Sequence, residues 1–187
     1  NIFHRLHCKS RRPVDSGPAP GYNTRMLIPY SDNIRRRGLP LVTWILLAVN
    51  IYVYMYQVKL GMNYLPDMTA FIDRFGFAPA NLTGAGTLAE KLLPLYTHMF
   101  LHANILHLAG NMLYLWIFAD NVEDRLGSYN FLLFYILSGF APAAAHYLTE
   151  PTSSVMAVGA SGAIAGVMGA YFALFGRAKI SAILLVL

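Results

Sequence analysis

The longest apolar run in the chain is 39–58, LPLVTWILLAVNIYVYMYQV, which holds no charged residue. Twenty helical residues reach ~30 Å, the thickness of one bilayer core, so this run predicts a membrane-spanning helix. Pro40 suits its start, where a missing N–H breaks no helical hydrogen bond. Further apolar runs predict spans at about 103–119, 129–148 and 159–175. Polar punctuation separates them: Asp120-Asn121-Val122-Glu123-Asp124-Arg125-Leu126-Gly127 after the second, Thr149-Glu150-Pro151 after the third. Residues 180–187 open a fifth apolar run; as a helix it would reach only ~12 Å, so it is expected to be the incomplete start of a fifth span. The stretch 59–97 mixes Lys59, Asp67, Asp73, Arg74, Glu90 and Lys91 with aromatic and apolar residues. That mixture suits an interfacial loop with short amphipathic helices. The expected fold class is an all-α polytopic membrane protein, with four complete transmembrane helices and the beginning of a fifth.

Composition agrees with this pattern. The chain is 56% hydrophobic and only 12% charged, against about 25% charged in soluble domains. The net charge of +5 is concentrated at one end. Residues 1–38 carry eight Lys/Arg (Arg5, Lys9, Arg11, Arg12, Arg25, Arg35, Arg36, Arg37) against Asp15 and Asp32. A basic tail before a span is the positive-inside signal, so it is no evidence for nucleic-acid binding. It predicts a cytoplasmic N-terminus, with Arg177 and Lys179 cytoplasmic again after four crossings and the 59–97 and 149–158 loops outside. Residues 1–25 are polar and aperiodic, with no apolar stretch of a secretory signal. The chain opens on Asn rather than Met, and these residues are expected to lie outside the native fold. Cys8 is the single cysteine, which excludes an intrachain disulfide.

Polar residues inside spans are costly and point to function. Gly159-Ala160-Ser161-Gly162 stands at the start of the fourth span. Small neighbours leave the Ser161 hydroxyl accessible, and a helix N-terminus offers unpaired N–H groups to a developing oxyanion. The same stretch also fits a packing stripe, because Gly162, Gly166, Gly169 and Ala173 share one helical face. His107 and Asn111, spaced i, i+4, share a face of the second span and can donate together to a negative oxygen. His98 and His102 have the same spacing. A metal site built from these histidines is disfavoured: no Glu intervenes as in H-E-x-x-H, and on a continuous helix His107 would face away from His98.

Four motifs follow one another along the chain: Phe75-Gly76-Phe77-Ala78-Pro79; His98-x3-His102-x4-His107-x3-Asn111; Val122-Glu123-Asp124-Arg125-Leu126-Gly127; and Val158-Gly159-Ala160-Ser161-Gly162-Ala163. In this order and spacing they resemble the rhomboid family of intramembrane serine proteases, over about residues 29–187. The resemblance divides the chain into a basic tail at 1–38 and a partial rhomboid domain at 39–187. It implies a six-span core and a Ser–His dyad, with Ser161 as nucleophile. His107, Asn111 and the Ser161 backbone N–H would form the oxyanion hole. His98, His102, Gly159 and Gly162 would line the site, while Glu123 and Arg125 would tie the cytoplasmic turn. The Gly162/Gly166/Gly169 stripe would receive the sixth span, which brings the catalytic histidine. No cofactor or metal is implied.

None of the six histidines (His4, His7, His98, His102, His107, His146) follows Ser161. The sequence is therefore expected to stop short of the base and to be inactive as it stands, since a serine hydroxyl is a poor nucleophile without one. His146 falls on the same side of the membrane as Ser161, but is expected to be a solvated interfacial residue. The implied function is cleavage of single-span membrane proteins near the outer face of a bacterial inner membrane, with the lipid bilayer as the other partner and no nucleic acid. The alternative is a non-catalytic rhomboid-like protein that captures membrane helices. A transporter or channel subunit is disfavoured, because the polar groups converge on one outer site. No signal for an oligomeric state is present.

Overall fold

The computed structural model describes residues 25–34 and 38–186. The expectations for residues 1–24 and for the basic run Arg35–Arg37 fall outside them. In chain order the elements are β1 (Arg25–Asp32), α1 (Leu41–Asn63), α2 (Leu65–Phe75), α3 (Pro79–Thr83), α4 (Leu88–Thr97), a 3-10 turn (His98–Phe100), α5 (Ile105–Leu126), α6 (Ser128–Thr149), α7 (Ser161–Leu174) and β2 (Ile180–Val186).

Two polar fastenings set α1 antiparallel to α5. Near the start of α1, Val42 N–H and Thr43 N–H donate to the Glu123 carboxylate at 3.0 and 2.8 Å. Near its other end, the Gln57 side chain both donates to His102 O (3.3 Å) and accepts from His102 N–H (3.1 Å), just ahead of α5. Between these ends the core is filled by Leu115, Phe118 and Val122 of α5, Phe131 and Tyr135 of α6, and Val167 and Tyr171 of α7. The outward faces are equally apolar: Trp44, Ile45, Tyr52 and Met55 on α1, and Leu133 and Leu137 on α6, are exposed. By length and composition α1 and α6 can each cross a membrane. Only 22% of each apolar window is buried, which is not how a soluble domain encloses a core helix. In α5 the polar residues His107, Asn111, Asp120 and Asn121 lower the apolarity, and α7 has 14 residues.

Three expectations are corrected. The second long helix begins at Ile105, not 103, and continues to Leu126 through the stretch expected to be a turn. Ala119 and Val122 keep the inward face apolar, and Glu123 turns inward as well because it has donors to meet. Gly127, at φ +80°, ends the helix in a conformation that suits glycine.

Residues 180–186 form a strand rather than the start of a helix, so the fold is mostly but not wholly α-helical. β2 pairs antiparallel with β1, with Ile28 opposite Ile183 and Asp32 opposite Ile180. A short apolar run is ambiguous between helix and strand. Here Ile180, Ile183 and Val186 are β-branched and β1 supplies the ladder, interrupted between Pro29 and Ser31 where proline lacks an N–H. At the end of this ribbon Asp32 accepts from Asn121 Nδ2 (2.8 Å) and the Tyr171 hydroxyl (2.5 Å), tying β1 to α5 and α7.

Finally, the neighbour that the small-residue stripe meets is α6. A Cβ on Gly162 would lie 2.3 Å from Pro142 Cγ, and one on Gly166 would lie 2.4 Å from Ser138 Oγ. At Gly169 a Cβ would meet nothing within 4 Å. The stripe therefore divides into two contacts with α6 and one open position.

Candidate functional site

Ser161 is the first residue of α7, and the chain reaches it through a fastened turn. Phe77 and Ala157 exchange backbone hydrogen bonds (Phe77 N–H to Ala157 O, 3.1 Å; Ala157 N–H to Phe77 O, 2.7 Å). Two residues on, Gly159 N–H donates to His98 O at 2.9 Å. Gly159 has φ +118°, which turns the chain into α7. The first helical bond is Ile164 N–H to Ala160 O (2.9 Å), so the N–H groups of Ser161, Gly162 and Ala163 have no partner inside the helix. Ser161 itself is exposed, and its hydroxyl makes no hydrogen bond among the described residues.

His107 and Asn111 occupy the first turns of α5, whose N-cap Asn104 accepts the His107 N–H at 2.9 Å. Both side chains are turned toward Gly159. A Cβ there would lie 2.6 Å from His107 Cε1, 2.7 Å from its Nε2 and 3.6 Å from Asn111 Nδ2. The imidazole thus rests directly on the glycine two residues before Ser161.

Behind this pair, Asn111 Nδ2 donates to His102 Nε2 at 2.9 Å, which assigns the acceptor role to that nitrogen. The His102 ring stands edge-on to His107 at 5.1 Å. Burial, reinforced by the nearby His107, pushes the His102 imidazole down to about 4. It therefore stays neutral near pH 7 and keeps its lone pair for Asn111. His102 meets His107 because the chain does not run on as one helix from His98: residues 101–104 are non-helical, which removes the expected opposition of the two faces.

His98 serves the framework around the turn. Its Nδ1 bonds Pro94 O at 2.9 Å, its carbonyl receives the Gly159 N–H, and its ring packs on Phe77 at 5.9 Å. Burial lowers its pKa. His146 is engaged elsewhere, with Nε2 3.3 Å from Ser153 Oγ and its ring 6.4 Å from Phe77.

At the opposite end of α5, Glu123 is buried and accepts from Val42 N–H, Thr43 N–H, the Thr43 hydroxyl (2.8 Å) and the Ser128 hydroxyl (2.6 Å). It caps α1 from another helix and fixes the α5–α6 turn. Arg125 is exposed and forms no ion pair among the described residues. Sequence reasoning missed Gln57, which fixes the backbone of His102. The signal was present: a glutamine near the end of an apolar helix is costly unless it has partners.

An apolar helical bundle with two helices able to cross a membrane, and with histidines and an asparagine set beside the start of the helix that bears Ser161, has the make-up of a membrane protein with a polar site at one end. A family model described as the Rhomboid domain matches residues 89–187, more than half of the chain. The chain belongs to the rhomboid family, a family of membrane-embedded proteases. It is similar to rhomboid protease GluP of Bacillus subtilis (strain 168), at 34% identity over 144 residues that cover 76% of this chain and 26% of that protein. It is also similar to rhomboid protease GlpG of Salmonella newport (strain SL254), at 27% identity over 142 residues, 75% of this chain and 46% of that protein. The chain thus spans less than half the length of these relatives.

Proposed function

We propose that this protein is an intramembrane serine endopeptidase in which Ser161 Oγ attacks the scissile carbonyl of a single-span membrane substrate. The observation that carries this reading is the contact between His107 and Gly159, which sets two donor-bearing side chains of α5 beside the unpaired N–H groups at the start of α7. Attack converts the carbonyl oxygen to an oxyanion, which accepts from His107, Asn111 and the Ser161 N–H. The Ser161 proton passes to a histidine base, which the family supplies from its sixth span. Neutral His102 accepts from Asn111 and so orients its amide, which a protonated ring, with no lone pair, could not do.

In this reading α1, α5, α6 and α7 are the four crossings, and the N-terminus is cytoplasmic in a bacterial inner membrane. The 14 residues of α7 reach ~21 Å, short of a ~30 Å bilayer core. The Ser161 end then lies below the membrane surface, in a recess beside His107 and Asn111 through which water arrives, with His98 and His102 buried behind them.

The test is cleavage of a single-span reporter in liposomes by the protein expressed from its gene. Ser161→Ala is expected to lower kcat by about 10^4–10^6-fold, and removal of one oxyanion donor, as in Asn111→Ala, by about 10^2–10^3-fold. Undiminished cleavage by Ser161→Ala overturns the assignment.

A further inference from the structure

Between α2, α3 and α4, at the Ser161 end of the molecule, lies a cavity of about 890 Å³. Asp73 and Arg74 of α2, Asn81 of α3, and Glu90 and Lys91 of α4 line it. These charges have unequal obligations. Glu90 is engaged locally: its Oε2 accepts from Thr87 N–H (2.7 Å) and the Thr87 hydroxyl (2.9 Å), closing the N-terminal cap of α4. Those bonds, with a smaller contribution from Arg74, lower the Glu90 pKa. Asp73, Arg74 and Lys91 form no ion pair among the described residues. The cavity therefore presents two cations, the Asp73 carboxylate without an ion pair, and the Glu90 carboxylate, which stays charged within its cap.

The rim has a different chemistry. Leu92, Leu93 and Tyr96 also line the cavity and are exposed, and Leu88 beside them is exposed as well. Such side chains on a short amphipathic helix next to membrane-crossing helices match the boundary between headgroups and acyl chains. A soluble phosphoester would leave this apolar rim in water.

We propose that the cavity binds the headgroup of an amine-bearing zwitterionic phospholipid. The phosphate lies between Arg74 and Lys91, the ammonium on Asp73, and the acyl chains over Leu88, Leu92, Leu93 and Tyr96. Arginine and lysine both serve phosphate, the first by a bidentate fork and the second as a point charge. A purely anionic headgroup would satisfy the two cations but leave Asp73 facing negative charge.

The experiment is native mass spectrometry of the detergent-purified, delipidated protein titrated with dioleoyl phosphatidylethanolamine, dioleoyl phosphatidylglycerol, dioleoylglycerol and glycerophosphoethanolamine. Phosphatidylethanolamine is expected to bind tightest, and Arg74→Gln/Lys91→Gln is expected to weaken it at least tenfold while Lys59→Gln, outside the cavity, leaves it unchanged. Asp73→Asn is expected to remove the preference for phosphatidylethanolamine over phosphatidylglycerol. Arg74→Lys, which keeps the charge, controls for folding and is expected to retain most binding. Equal binding of dioleoylglycerol, or no loss in the double variant, overturns the proposal. Equally tight binding of glycerophosphoethanolamine assigns the cavity to a soluble phosphoester and overturns the lipid assignment.

Discussion

The imidazole of His107 occupies the space that a side chain at Gly159 would need, with Cε1 only 2.6 Å from the position of a Cβ. Gly159 also holds φ +118°, which disfavours any L side chain. Gly159→Ala is therefore expected to destabilise the protein by about 1–3 kcal/mol through backbone strain alone, and further by displacing His107. The steric part is separable. In a Gly159→Ala/His107→Ala variant the ring is gone and only the strain remains. Detergent unfolding should show a coupling of about 0.5–3 kcal/mol between the two substitutions. Strictly additive costs would mean that the two residues do not touch.

Glu123 and Arg125 are two positions apart in one charged stretch, yet their surroundings are opposite. The Glu123 carboxylate receives four hydrogen bonds, three of them from the first turn of α1. Glu123→Ala strands those donors and is expected to cost about 2–4 kcal/mol, the sum of a lost cap and buried unpaired groups. Arg125→Ala, at an exposed position, is expected to change stability by less than about 0.5 kcal/mol. Equal effects in chemical unfolding would show that Arg125 has a partner of comparable weight.

The sequence made the helical organisation and most of the gathered residues legible, because both rest on local signals. Apolar length marked α1 and α6, and i, i+4 spacing put His107 and Asn111 on one face. What it concealed depends on distant partners. The helix break at 101–104, held by Gln57 across the bundle, brings His102 against His107, whereas a wheel drawn through His98 separates them. Residues 180–186 become a strand only because β1, far away in sequence, offers a ladder. The same holds for Glu123, whose inward turn follows from unpaired donors on α1 that no periodicity reveals.

A buried neutral His102 makes stability depend on pH. Its pKa in the folded chain is about 4, against about 6.5 when unfolded. Between these values the unfolded chain binds the extra proton, so acid favours unfolding. Stability is expected to be level above pH 7 and to fall as pH drops from 6.5 to 4, by at most about 1.4 kcal/mol per pH unit for one proton, then to level again. His98 shifts in the same direction and adds to the slope. His102→Gln should reduce the slope in unfolding experiments at fixed ionic strength; an unchanged slope would assign the acid sensitivity to other groups.

The proposed topology puts Glu150 on the Ser161 side and Arg177 on the other. Both are exposed. In a Cys8→Ser background, Glu150→Cys is expected to react with a membrane-impermeant maleimide in intact cells, and Arg177→Cys only after the membrane is opened. Labelling of position 177 alone in intact cells would invert the arrangement.

The three glycines of α7 allow a sharper test of how this helix is covered. Gly162 and Gly166 lie against Pro142 and Ser138 of α6, where an added Cβ would come within 2.3 and 2.4 Å of side-chain atoms. Separations this short force α6 and α7 apart, because a packed interface has no slack for an added methyl group. Gly166→Ala is expected to cost about 1–3 kcal/mol. The Ser138→Ala background removes the nearest atom, the hydroxyl oxygen, but leaves the Ser138 Cβ 2.5 Å away, so it should relieve only part of that cost. Gly169 faces open space, and there the balance reverses: alanine is the better helix former by about 1 kcal/mol. Gly169→Ala is therefore expected to be neutral or stabilising by up to about 1 kcal/mol. Thermal unfolding of the purified variants in one detergent reads all three. If Gly169→Ala costs as much as Gly166→Ala, another helix lies over Gly169 in the assembled protein, and that face of α7 is an interface rather than a surface left to lipid.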